Sequence, residues 1–433
     1  MSDPGSEVTP ARRAAFEVLR RVFEHGAWAD RALPAAVERH RLAGRERAQA
    51  QRLAYGAVQR RGTSDHLVER LAERPARDLD PGILAALRLG LYELLYASAT
   101  PDHAAVSQAV ELAKQGTPRA AGLVNAVLRR ATREREELLA SLDDSTPAGA
   151  AIAHSHPRWI AEMWWQELGP GAARALMAAD NEPPETALRV NLLRADPAEL
   201  TKELTVAGAA VAVPSGPGPA PAESIVVDGP LTEPLIDAIQ SGLVVPQSRA
   251  SAAVVEALDP RAGQRVLDLC AGPGIKATQI AARMGDDGEV VSVELDERRA
   301  AQVSELRAHL GANSVRVVVG DAREAHGGGY DRVLVDPSCS DLGTLASRPD
   351  ARWRKSPEQM AELAALQGEI LAAARGELAS GGRLVYSTCT ISARENDAVV
   401  SASGLEPEGE PLRTRPDLDA TDGFFIARLR GGA

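Results

Sequence analysis

The chain has 433 residues, 44% hydrophobic and 25% charged, which is enough for two or three ordinary cores and too apolar for a disordered chain. No run of about 20 uncharged apolar residues occurs, so no membrane span is expected, and the opening MSDPGSEVTP lacks the segments of a secretory signal, so a cytoplasmic protein is expected. The net charge of −11 hides an asymmetry: residues 1–140 carry 22 Lys or Arg against 18 Asp or Glu, the remainder 27 against 42, and the total neither requires nor excludes RNA.

Residues 10–140 read as helices throughout. ARRAAFEVLRRVF places Ala15, Val18, Leu19 and Val22 at helical spacing. Pro81, Pro101 and Pro118 mark starts or breaks between the helices. A link around DDSTPAGA (143–150) follows. Residues 155–245 mix helix and strand: HPRWIAEMWWQELG is amphipathic with Trp159, Met163 and Trp164 facing a core, TALRVNLLR is strand-like, and PSGPGPAPAES is a loop. From about 264 strands alternate regularly with helices, the pattern of a doubly wound, mainly parallel sheet. The last long helix is expected to start at Ser356 and stop near Gly381.

In such sheets ligands lie beyond the carboxyl ends of the strands. The first strand ends at Asp268-Leu269-Cys270 and runs into Gly272 and Gly274. The second ends at Glu294, 20 residues after Gly274, the third at Asp321, the fourth at Asp336 and the next at Cys389. Glycines let backbone approach a ligand, an acid ending the second strand can hold ribose hydroxyls, and one after the third can accept from an adenine amino group. The loop lacks full G-x-G-x-x-G spacing, which favours S-adenosylmethionine over a nicotinamide cofactor.

There are three cysteines, Cys270, Cys339 and Cys389, too few and too odd for a disulfide framework. No C-x-x-C or H-x-x-x-H spacing is present, so no metal is expected. What remains is core filling or thiol chemistry. Carbon 5 of a pyrimidine is a poor nucleophile until a thiolate adds to carbon 6, and a base must then remove the carbon-5 proton to expel the thiol. A free thiol with a pKa of about 8.5 needs help to reach the thiolate. Each cysteine alone could be a small buried hydrophobe; two on one sheet edge beside candidate ligands weaken that reading.

The segments LDLCAGPGIKAT, VVSVELD, VVVGDAR, RVLVDPSCSDLGTLASRPDARWRKS, LVYSTCTISAREN and DGFFIARL together resemble the bacterial ribosomal RNA cytosine-5 methyltransferases of the Sun family. HAAVSQAVELAK and GLVNAVLRR resemble the NusB-type domain these enzymes carry, and NEPPETALRVN their short domain before the catalytic one. The resemblance implies three parts: an all-α NusB-like RNA-binding domain (1–142), a linker with a small α+β domain (143–245), and a Rossmann-like class I methyltransferase domain (246–433). It implies S-adenosylmethionine as cofactor, RNA as partner, small-subunit (16S) ribosomal RNA above all, and a monomer.

Carried over by position, Cys389 matches the family nucleophile and Cys339 the second cysteine, which helps release product. Cys270, Ala271, Gly272, Pro273, Gly274, Ile275 and Lys276 match the cofactor loop. Glu294, Asp321 and Asp336 match the cofactor-site acids, Asp336 also facing the base. Where the family reads D-A-P-C-S, this chain reads Asp336-Pro337-Ser338-Cys339-Ser340; where it reads C-A-A-P-G-G-K, Gly272 and Ile275 stand in the third and sixth places; Ser248 replaces the usual acid after Gln247. Ile275 disfavours a positive φ at its place. Cys270, at the end of a buried strand, reads as structural. Arg348, Arg352, Trp353, Arg354 and Lys355 form a basic and aromatic cluster suited to phosphate and base contacts. A non-catalytic RNA-binding factor and a tRNA or DNA methyltransferase stay open as rivals.

Overall fold

A computed structural model describes residues 8–97, 100–115 and 118–430. Residues 1–7, where most of the stretch read as lacking a secretory signal lies, fall outside that range. The chain divides into two compact units: one reaches to Glu182 and includes Leu345–Arg354, the other comprises Pro183–Thr344 and the chain from Lys355 on.

The first unit is helical. Helices span Pro10–His25, Ala29–Arg39, Gly44–Gln59, Arg61–Ala72, Pro81–Tyr96, Asp102–Lys114 and Ala121–Arg133. The helical spacing of Ala15, Val18, Leu19 and Val22 does place all four in the core, with Leu53, Leu67, Leu87 and Leu128. Punctuation falls as read: Asp80 caps the helix that Pro81 opens, accepting from the amides of Gly82 and Ile83, and Pro101 sits at the next helix start. Inside the bundle Arg12 and Glu93 pair at 2.6 Å, both buried.

Two details differ from the sequence reading. The link around 143–150 is partly folded: Thr146 accepts from the Gly149 amide and starts a helix at Pro147–Ala153. In the following helix, Arg158–Leu168, the buried face is Ile160, Ala161 and Trp164, while Trp159 and Met163 are half-buried. Positions 160, 161 and 164 share one helical face, which 159 and 163 only flank.

The second unit holds two sheets. Strands β1 (Thr186–Val190), β2 (Val211–Ala212), β3 (Ser224–Val227) and β4 (Val244–Pro246) pair antiparallel in the order β2-β3-β1-β4. Their core is Leu188, Val190, Ile225, Val227 and Val244 with helix residues Leu200, Leu204 and Leu235.

The larger sheet contains β5 (Arg265–Leu269), β6 (Glu289–Glu294), β7 (Val315–Val319), β8 (Tyr330–Val335), β9 (Leu378–Thr388), β10 (Glu406–Pro407), β11 (Leu412–Arg413) and β12 (Phe425–Arg430). Its order is β10-β12-β9-β8-β5-β6-β7, with β11 also on β12. Strands β5 to β9 run parallel and β12 pairs antiparallel to β9. This is the mainly parallel α/β sheet expected. Alternate strand residues feed cores on opposite faces: Leu267, Val291, Val333 and Leu384 on one, Val266, Val290, Leu334 and Val385 on the other. The order reverses beside β5, whose neighbours are β6 and β8, so a crevice opens there beyond the strand ends.

The last long helix does start at Ser356, whose hydroxyl accepts from the Gln359 amide, but spans Pro357–Arg375 and stops at Gly376. Gly381 instead lies within β9 at φ +76°, where the pairing with β8 slips: Tyr330 faces Leu378, and Arg332 already faces Arg383. A glycine suits the left-handed turn of such a bulge. Among the described residues no helix is long and apolar enough to cross a membrane.

Candidate active site

The loop after β5 brings a ligand site to the crevice. Cys270 takes the left-handed conformation at φ +69° and Gly274 caps the next helix at φ +103°, so Ile275 enters as the first residue of helix Ile275–Arg283 and needs no positive φ. The Gly272 amide donates to Glu294 Oε2 at 2.9 Å, and Arg299 donates to the Gly272 carbonyl at 2.6 Å. A Cβ on Gly272 would lie 2.3 Å from that same Glu294 oxygen. A side chain here would need Glu294 and Arg299 to shift, and the bare residue lets the loop lie close against the end of β6.

Beneath the loop is a small pocket lined by Asp268, Cys270, Ala271, Gly272, Pro273, Ile275, Lys276 and Asp336. Asp268 is buried, and its Oδ2 has no hydrogen-bond partner. Burial pushes its pKa up to about 8, with Asp336 and Glu294 adding to the rise against Lys276. Burial, then Asp268 and the other acids, pushes the Cys270 thiol up to about 12. Asp321, after β7, is gripped by Arg323 at 2.6 Å, which holds its carboxyl down at about 2.

Asp268 should make stability fall with rising pH. The folded chain keeps its proton up to about pH 8, whereas the unfolded chain loses it near pH 4. Between those limits unfolding releases a proton, so each increment of pH favours the unfolded state. Asp268→Asn removes this slope, so the melting temperature of the variant minus that of the parent should grow from pH 5 to 8. A constant difference would rule out a neutral Asp268.

On the other side of the switch point Asp336, just beyond β8, accepts from Ser387 Oγ at 2.6 Å and pairs with Lys276 Nζ at 2.6 Å. Three residues on, Cys339 is buried, and its Sγ lies 3.4 Å from Sγ of half-buried Cys389 at the end of β9. Contact with Cys339, then burial, then the nearby Asp341 and Asp336 raise the Cys389 thiol well above its ordinary range. Asp341 Oδ1 stands 3.3 Å from Cys389 Sγ. Lys355 Nζ lies 3.4 Å from Asp341 and donates to the Cys339 carbonyl at 3.0 Å.

A buried network fixes both cysteine loops. Glu395 accepts from the Ser340 amide at 2.9 Å, from the Ser340 hydroxyl and from Gln367 at 3.1 Å. Its backbone carbonyl accepts from Tyr386 Oη at 2.6 Å. Asn396 accepts from Thr388 and donates to the Thr390 carbonyl at 3.0 Å. Thr390 and Ser340 hydroxyls meet at 2.7 Å. The threonines flanking Cys389 thus tie a strand end to its loop. The shifted Pro337 leaves Cys339 on this edge.

The sequence reading placed Cys389, Cys339, Asp336, Lys276, Cys270 and Glu294 correctly on one edge, and underrated Asp268, Asp341 and Glu395. It misjudged the basic and aromatic cluster. Arg352 is fully buried in the first unit and donates to the carbonyls of Ser155, Asp180 and Leu345 and to Asn181 Oδ1. Trp353 donates to the Val58 carbonyl at 3.0 Å, and Arg354 to Gly26 and Ala27. Those donors are taken up mainly by backbone carbonyls of the first unit, whereas Lys355 reaches Asp341 and the Cys339 carbonyl.

Three family models match the chain: 16S rRNA methyltransferase RsmB/F over 255–404, the NusB family over 9–133, and the RsmF/B-like ferredoxin-like domain over 156–231. A Bacillus subtilis relative is 32% identical over 98% of this chain and 99% of its own length. The chain belongs to the RsmB/F family of ribosomal RNA methyltransferases. The ribosomal RNA small subunit methyltransferase B of Klebsiella pneumoniae is 31% identical over 96% of this chain and 97% of its own. The solved structure of PH0851 shares the fold, with a TM-score of 0.82 at 24% identity over 99% of both chains. The Sun-type resemblance read from the motifs is therefore a family relation along nearly the whole RsmB/F chain. The residues at the crevice also fit S-adenosylmethionine: the pocket beneath the Gly272 loop is lined by Asp336 and by Asp268, whose Oδ2 is a buried oxygen without a hydrogen-bond partner.

Proposed function

We propose that this methyltransferase modifies carbon 5 of a cytosine in small-subunit ribosomal RNA through a covalent adduct at Cys389. The observation that carries the reading is the contact of two thiols, 3.4 Å apart, at the ends of adjacent parallel strands beside Asp336. S-adenosylmethionine supplies an electrophilic methyl group. The loop Cys270 to Lys276, with Asp268, Glu294 and Asp321, would hold it.

Cys389 adds to carbon 6 of the flipped base. Its thiol donates to Asp341 Oδ1, 3.3 Å away, which would take the proton as the sulfur–carbon bond forms. Asp336, anchored by Ser387 and Lys276, orients and activates the base. Cys339 stands where the adduct must be resolved, its thiol against the sulfur that has to leave. The helical region over 1–142, with its positive balance, would recruit RNA, the 143–245 region would support the loop, and residues 246–433 would carry the chemistry, in a cytoplasmic monomer.

The test is product chemistry. Small-subunit RNA from a strain lacking the gene, incubated with the protein and S-adenosylmethionine, should yield 5-methylcytidine on nucleoside mass spectrometry, at one position by bisulfite sequencing. A methylated ribose, or methylation of another base, would remove the reading. Glu294→Ala should weaken S-adenosylmethionine binding in calorimetry by about 1–3 kcal/mol, since it leaves the Gly272 and Asp296 amides without their acceptor.

A further inference from the structure

The two thiols are not alone at their contact. Sγ of Cys339, Sγ of Cys389 and a carboxylate oxygen of Asp341 all lie within 4.8 Å of one another, with Cys389 Sγ 3.4 Å from the other sulfur and 3.3 Å from Asp341 Oδ1. In a tetrahedral zinc centre, bonds of about 2.3 Å to sulfur and 2.0–2.2 Å to oxygen set neighbouring donors roughly 3.4–3.8 Å apart. The two pairs that include Cys389 Sγ already stand within a few tenths of an ångström of that spacing, and the third pair lies within 4.8 Å.

We propose that Cys339, Asp341 and Cys389 form a site for a thiophilic divalent cation of the zinc class, and that filling it silences the enzyme. The silencing half rests on Cys389 being the nucleophile; the binding half does not.

Charge, chemistry and rigidity support it. Two thiolates and a carboxylate against a divalent cation leave one negative charge, and Lys355 Nζ, 3.4 Å from Asp341, supplies the balancing one. Asp336 is already matched by Lys276. Two sulfur donors select zinc-like cations over magnesium or calcium. As each metal–sulfur bond forms, an S–H bond breaks and its proton passes to solvent, with no change of oxidation state. The supports are built in: Lys355 holds the Cys339 carbonyl, the Gly343 amide donates to the Cys389 carbonyl at 2.9 Å, and Glu395 clamps Ser340. Asp341 itself sits at φ +61°, where glycine would be unstrained. The side chain kept at that backbone is the one that completes the donor set.

Cobalt(II) is the probe, because its thiolate complexes absorb in the near ultraviolet. The full chain should bind one equivalent with a sulfur-to-cobalt band that zinc abolishes, and zinc should inhibit methylation reversibly, relieved by EDTA. Cys389→Ser and Cys339→Ser should each lose most of the band. Asp341→Gly relieves backbone strain, so it folds, and should weaken cobalt binding and zinc inhibition by at least about tenfold, the lower end for losing even an outer-shell partner. No band at stoichiometric cobalt, or equal affinity in Asp341→Gly, overturns the site. A Cys389→Ser protein that loses the band yet still methylates would leave the site standing and overturn both the silencing and the nucleophile.

Discussion

Cys389→Ala should reduce methyl transfer to background and form no covalent complex with RNA, while Cys339→Ala should accumulate a protein–RNA adduct stable in denaturing gels. The two sulfurs differ in position. Cys389 directly follows β9, and its loop is held by Thr388, Thr390 and Asn396, so its sulfur returns to one place each cycle. Cys339 lies under it on the adjacent strand end, buried, where it meets the sulfur rather than open solvent. Losing the attacking sulfur stops the reaction before any bond forms. Losing its neighbour leaves attack possible but strands the product. Denaturing gels with labelled RNA separate the two, since a heat-stable shifted band appears in one variant and not the other. An adduct formed by Cys389→Ala but not by Cys339→Ala would reverse the roles, and full activity in both would return the cysteines to core filling.

Arg352→Ala should destabilise the first unit by about 3–4 kcal/mol, because three buried carbonyls and the half-buried Asn181 amide oxygen lose their donor together and each orphaned group costs about 1 kcal/mol or more. At about 2–4 °C per kcal/mol for a unit of this size, calorimetry should show its transition lowered by roughly 6–16 °C. Arg352→Lys should rescue little, because one ammonium cannot match a planar fork that reaches the carbonyls of Ser155, Asp180 and Leu345 and the amide oxygen of Asn181. An unchanged first transition would mean that the guanidinium is replaceable by water.

These two cases mark how far the sequence could be read. The candidate site was legible because its parts lie at strand ends, and the alternation of strands and helices says where strand ends are: Glu294, Asp336 and Cys389 needed nothing more. Arg352, Trp353 and Arg354 carry the residue types of an RNA contact, and each has a partner about 170 to 330 positions away. Nothing local distinguishes an arginine that meets phosphate from one that meets buried carbonyls. Asp268 was visible as a strand residue, but its buried oxygen without a partner shows only once β6 and β8 flank it. Glu395 and Asn396 stand in the LVYSTCTISAREN segment, and their reason, tying two loops that each carry a cysteine, appears only in three dimensions. Gly381 misled because a strand bulge and a helix end ask for the same residue.

The decapeptide Leu345–Arg354 belongs with the helical unit although it lies more than 160 residues beyond Glu182. During vectorial synthesis the earlier helices leave the ribosome long before this piece exists. At about 5–20 residues/s, the gap from residue 182 to residue 354 lasts roughly 9–34 s. Through that interval the carbonyls of Ser155 and Asp180 have no Arg352, and Val58 no Trp353. The first region to be translated is therefore among the last to be finished, and a chimera that exchanges the amino-terminal region between relatives must carry the distant decapeptide with it.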